Sequence, residues 1–179
     1  MKLGSFLAAM TLCILCISCS GNKKAEKDPY EGVVLVTEWE KGPGIEKYAD
    51  YSYGMGSVWG EYFIHTYGNQ EKGTVAFITD ADRTVIASFD IPKSELKPNQ
   101  YVSFDGAIEN FDPNREFWKN PYTIDPYYIV VYEVTNEDDF LEKPYFDTVV
   151  KAWHFDKETK KIVEASAEGL GIRNEAYGI

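Results

Sequence analysis

Thr74 to Glu109 reads TVAFITDADRTVIASFDIPKSELKPNQYVSFDGAIE, and its pattern decides the fold class. Thr74–Thr79 and Thr84–Ile91 are two apolar runs at strand spacing, rich in β-branched and aromatic residues. Asp80-Ala81-Asp82-Arg83 joins them as a hairpin turn, because Asp tolerates the backbone angles that tight turns require. Pro92–Lys97 has room for one turn of helix, which Pro98 stops. Tyr101–Glu109 then alternates cleanly. Val102, Phe104, Gly106 and Ile108 fall on one face, and Tyr101, Ser103, Asp105, Ala107 and Glu109 on the other. A glycine inside such a strand marks a bulge or a sharp coil.

Outward from this stretch the chain stays β-rich. Gly32–Trp39 (GVVLVTEW) predicts a first strand that Lys41-Gly42-Pro43-Gly44 breaks. Ile45–Gly60 loses all periodicity and interleaves Gly54, Gly56 and Gly60 with Tyr48, Tyr51, Tyr53 and Trp59, the pattern of a long loop. A strand is expected at Glu61–Tyr67. Asn110–Pro126 is a second long loop with Phe111, Phe117, Trp118 and Tyr122. Tyr127–Val134 (YYIVVYEV) is apolar enough for a central strand. Thr135–Lys143 predicts a short helix, with Thr135 and Asp138 at capping-box spacing. Thr148–Phe155 and Lys161–Ser166 predict a closing hairpin.

The order strand, long loop, hairpin, short helical link, glycine-bearing strand, long loop, strand resembles an OB-fold, a five-stranded Greek-key barrel. The resemblance covers Gly32–Val134, and an open β-sandwich is the alternative. It divides the chain into residues 31–135 as the barrel and 136–179 as a helix and hairpin extension packed on it. OB-folds bind ligands on a strand face flanked by two loops, which correspond here to residues 40–60 and 110–126. That resemblance implies Tyr53, Trp59, Tyr62, Trp118 and Tyr122 as ligand-binding residues.

The N-terminus carries an address. Leu3–Ile17 is an apolar stretch of about fifteen residues after Lys2, shorter than the ~20 that a spanning helix needs. Leu15-Cys16-Ile17-Ser18-Cys19 resembles a bacterial lipobox, with Cys16 where a leucine is usual. The resemblance implies a signal peptide at 1–18, a lipid on Cys19, a tether at 19–30, and an outer-membrane location favoured by the serine that follows. All three cysteines lie in this segment, so no disulfide staples the body.

Composition narrows the partner. The chain of 179 residues has a net charge of −11, and loss of residues 1–18 with Lys2 leaves −12. Each long loop is itself net −1, which repels phosphate and excludes nucleic acid as the expected partner. No catalytic pattern stands up. Ser94-Glu95-Leu96-Lys97 is similar to the S-x-x-K of penicillin-binding enzymes, whose S-D-N and K-T-G elements are missing. Asp80 and Asp82 lack the remaining ligands of a calcium loop. His65 and His154 stand alone in aromatic strands. The reading is a non-catalytic envelope lipoprotein without cofactor or metal, binding a protein or glycan through aromatic loops. Two alternatives stand beside it: a small envelope hydrolase or glycan-processing enzyme with paired carboxylates, and a structural accessory subunit of an envelope complex.

Overall fold

A computed structural model describes residues 27–38, 41–115 and 122–177. Two four-stranded antiparallel sheets carry the fold. The first is a meander of β1 (Ser52–Trp59), β2 (Tyr62–Asn69), β3 (Gly73–Thr79) and β4 (Val85–Pro92). The second runs β5 (Gln100–Ser103), β6 (Tyr128–Glu133), β8 (Val149–Asp156) and β9 (Lys161–Ala165). A two-residue strand β7 (Tyr145–Phe146) pairs with β10 (Ile172–Arg173), and a single helical turn, α1 (Asp139–Glu142), precedes β7.

The protein is mainly β, as the sequence predicts, and its sheets are open. Among the described residues β1 pairs with β2 alone, and the hairpin β8–β9 occupies the free side of β6. The strands therefore do not close into an OB-type barrel, and the arrangement matches the open β-sandwich alternative. The boundary expected at residue 135 falls within the second sheet, because β8 and β9 are its members.

Three apolar clusters explain why the middle strands read as nearly continuous apolar runs. The central one lies between the sheets: Trp59, Ile64, Ala76, Ile78 and Ile91 from the first meet Ile129 and Phe155 from the second. Alternate residues of β2 and β3, Tyr67, Val75 and Phe77, point to the outer face and pack with Leu35, Tyr48 and Tyr51. On the outer face of the second sheet Val130 and Ala152 pack with Phe146, Leu170 and Ile172. Each fully buried large side chain contributes ~1.5–3 kcal/mol, and strands covered on both faces collect this twice along their length.

Local differences from the sequence reading have simple causes. The hairpin β3–β4 forms as expected, and Asp80 caps its own turn by accepting the N–H groups of Asp82 and Thr84 at 2.9 Å each. Residues 33–36 lie beside the start of β4 through one bridge, Val34 to Thr84, and bury Leu35 without forming the predicted strand. Pro92–Lys97 holds one 3-10 turn, Lys93–Glu95. The predicted strand 101–109 ends at Ser103, since Gly106 takes φ +85° and turns Ala107 and Ile108 toward other partners. The Thr135 capping box does not form: α1 has no side-chain cap, and Asn136 Oδ1 accepts the Asp138 N–H at 3.2 Å.

The largest difference lies at 45–60. Only Glu46–Tyr48 forms a 3-10 turn, and Ser52–Trp59 is the edge strand β1. A register shift between Tyr53 and Met55, at Gly54, reverses which face each later side chain takes. Tyr53 and Trp59, six residues apart, consequently lie on opposite faces of one sheet.

Candidate functional site

A cleft of about 840 Å³ opens beside the second aromatic loop. Backbone geometry builds its floor. At Gly106 a Cβ would fall on the carbonyl oxygen of Asp125, so only glycine lets the two segments meet. Ala107 and Asp125 then exchange both backbone hydrogen bonds, 2.9 and 2.8 Å. Ile108 exchanges two more with Gly171, 2.7 and 3.0 Å. The Phe111 ring covers Gly171, where a Cβ would collide with it, and stacks obliquely on Tyr122 at 5.0 Å. Tyr145 closes that aromatic group from behind, 5.3 Å from Tyr122.

The wall comes from strand register. Tyr128 of β6 stands opposite His154 of β8, and their rings meet edge to face at 4.7 Å. The Tyr128 hydroxyl donates to Glu109 Oε1 at 2.8 Å. Burial first, then that bond and the charge of Glu109, with Asp125 adding, pushes the Tyr128 hydroxyl up to about 12. It is therefore a hydrogen-bond donor at every physiological pH. Asp125 Oδ1 accepts the Tyr127 N–H at 2.9 Å, and its Oδ2 lies 3.3 Å from His154 Nε2. Glu109 and Asp125 thus face one cleft, each held by its own partners.

Two cations lie over two rings at the rim. Arg115 sits over the Tyr122 ring and Lys157 over the Tyr127 ring, each 4.5 Å from the centroid. Such pairs contribute ~0.5–1 kcal/mol when exposed. Asn110 and Thr123 complete the lining with neutral donors and acceptors. The cleft is therefore lined by rings that carry cations, by two carboxylates and by an amide.

The five rings implicated by the OB-fold resemblance do not form one surface. Trp59 is 1% exposed, and its Nε1 donates to the Phe104 carbonyl at 3.1 Å, across the sandwich. Tyr62 is buried beside Phe155, 5.2 Å between centroids. Tyr53 lies half-buried on the outer face of the first sheet, against Tyr67 at 5.3 Å. These three are packing residues. Tyr122 lines the cleft. Cys19 and Trp118 lie outside the described residues. Sequence reading missed Glu109, Asp125, Tyr127, His154 and Lys157, which are brought together by the Tyr128–His154 register and the Gly106–Asp125 approach.

A second cleft of about 630 Å³ lies at the open edge between β4 and the hairpin 159–162. Asp28 spans part of it, accepting from Ser88 N at 2.7 Å and Ser88 Oγ at 2.8 Å. Its lining has a single ring, Phe89, and no paired aromatic faces. Among the described residues no group of three His, Cys, Asp or Glu side chains is placed to hold a metal ion, and no helix is long and apolar enough to cross a membrane. No family model matches the chain, and no curated protein and no solved structure matches it.

Proposed function

We propose that this protein is a non-catalytic lipoprotein of the cell envelope, anchored through Cys19, that binds a glycan partner in the cleft lined by residues 108–115, 122–127 and 154–157. One observation carries the choice of glycan over protein: the rings of Tyr122 and Tyr127 share a concave site with Glu109, Asp125 and Asn110. Sugar rings present an apolar face and a belt of hydroxyls, and need both kinds of group at once. The volume falls within the usual range of small-ligand sites, ~300–1,000 Å³. A protein partner would be better served by a flat surface with a central buried anchor.

Capture of the purified full chain on immobilised oligosaccharides tests this reading. Tyr122→Ala should lower capture several-fold while the melting temperature moves by only a few degrees, about what ~1 kcal/mol produces in a domain of this size. Undiminished capture by that variant would remove the cleft from the account.

The pair Glu109 and Asp125 in one cleft favours a second reading, a carboxylate-dependent glycan hydrolase. Against it, both carboxylates act as acceptors, from Tyr128 and from the Tyr127 N–H. Glycosidases need one carboxyl that delivers a proton to the leaving oxygen. Release of reducing sugar from a bound oligosaccharide, abolished by Glu109→Gln, would establish the enzyme instead.

A further inference from the structure

The charges of the cleft narrow the kind of glycan. Of the eleven described lysines, six hold a carboxylate and five do not. Lys27, Lys41, Lys47, Lys72, Lys97 and Lys143 each hold one at 3.6 Å or closer. Lys157, like Lys93, Lys151, Lys160 and Lys161, has no ion pair among the described residues, and of these five it alone lines this cleft. Its Nζ stands instead 4.5 Å from the centre of the Tyr127 ring, at the mouth of the cleft.

Three nearby carboxylates are hydrogen-bonded to groups other than Lys157. Asp156, next in sequence, accepts the N–H groups of Glu158 at 2.9 Å and Thr159 at 3.3 Å, and the Thr159 hydroxyl at 2.7 Å. Those bonds fix the turn between β8 and β9 and direct the Asp156 charge into the backbone. They also present Lys157 from a preformed loop, so little order is lost when it takes a ligand. Asp125 is held by Tyr127 N–H and lies beside His154, and Glu109 is held by Tyr128. An ammonium without an ion pair, held over a half-buried ring at the mouth of a cleft, can receive an anion.

We infer that the ligand of this cleft is an acidic glycan whose sugar ring packs on Tyr127 and whose carboxylate, as in a uronic acid, pairs with Lys157. The inference rests on the glycan reading above and adds the substituent. Arg115 lies over Tyr122 at the same distance, a second cation on a ring of this cleft. Neutral sugars would fill the space and leave the ammonium unmatched.

Titration calorimetry with the full chain in detergent tests it, using a galacturonate tetramer, its neutral galactan counterpart and a sulfated galactan tetramer. At low salt the galacturonate should bind roughly tenfold tighter than the galactan, the scale of one charge-assisted hydrogen bond. Lys157→Gln should erase that preference, weakening galacturonate far more than galactan, and Lys157→Arg should keep it. Equal binding of galacturonate and galactan retains the glycan reading and overturns the carboxylate. A preference that survives Lys157→Gln overturns the role of Lys157. Sulfated galactan binding as tightly as galacturonate, with Lys157→Gln weakening both, replaces carboxylate recognition by charge alone. Binding of none of the three overturns both the inference and the reading beneath it.

Discussion

The indole of Trp59 reaches from the end of β1 to donate its N–H to the backbone carbonyl of Phe104, 3.1 Å away and out of solvent. The bond spans the two sheets at the side where β1 borders the chain leaving β5. A buried carbonyl there has no water to turn to, so the tryptophan supplies both packing and the required donor. Trp59→Phe should cost ~1–3 kcal/mol, the scale of a buried acceptor left unpaired, and Trp59→Ala ~3–5 kcal/mol through the cavity it opens. Urea denaturation measures both. Native-like stability in Trp59→Ala would show that the ring does not join the sheets.

Gly106 connects fold to cleft. Its φ of +85° and the absence of a Cβ let Asp125 approach, and Asp125 in turn lies against His154. Gly106→Ala should destabilise the fold by about 1–3 kcal/mol through backbone strain and the clash with the Asp125 carbonyl. It should also perturb the His154 ring resonances in NMR spectra, although residue 106 does not touch that ring's cleft face. Unchanged His154 resonances in a folded Gly106→Ala protein would uncouple the two.

His65 supplies a pH dependence. Burial first, then the nearby Arg83 charge, lowers its pKa below the usual 6.5, and its Nε2 is buried without a hydrogen-bond partner. The folded state therefore keeps the ring neutral while the unfolded chain takes up a proton below ~6.5. Its contribution is fully present above that pH and falls on acidification through the interval down to the folded value, below which it is flat. Between pH 7.5 and 5.5 the wild type should lose more urea resistance than His65→Phe. Identical slopes in the two proteins would mean that the ring takes up its proton in the fold as readily as in the unfolded chain.

The anchor is tested separately from the cleft. Cys19→Ser should move the protein from the membrane fraction to the soluble fraction, and the wild-type mature terminus should carry the mass of attached acyl chains. An unmodified terminus found by mass spectrometry would overturn the lipoprotein reading and leave the glycan site standing.

Much of the β architecture was legible because apolar alternation reports directly on burial. Thr74–Ile91 gave both strands and the turn, and Tyr127–Val134 gave the centre of the second sheet. The first aromatic stretch misled for a physical reason. Its glycines hid a strand, and the register shift at Gly54 sent Tyr53 and Trp59 to opposite faces, which no periodicity reveals. Tyr122 of the second loop lines the cleft, and the residues it meets there were invisible in the sequence. His154 and Asp125 are 29 residues apart and meet through strand register. Lys157 falls in the turn of the predicted closing hairpin, and only the fold sets it over Tyr127.

The cleft lined by Glu109, Thr123, Asp125, Tyr127, His154 and Lys157 is the proposed ligand site. Amide chemical-shift mapping of the full chain in detergent, on addition of a galacturonate tetramer, tests it most directly. The account predicts saturable shifts centred on Glu109, Thr123, Asp125, Tyr127, His154 and Lys157, with residues 52–59 unmoved. Shifts centred on 52–59, or none anywhere at saturating ligand, would contradict it.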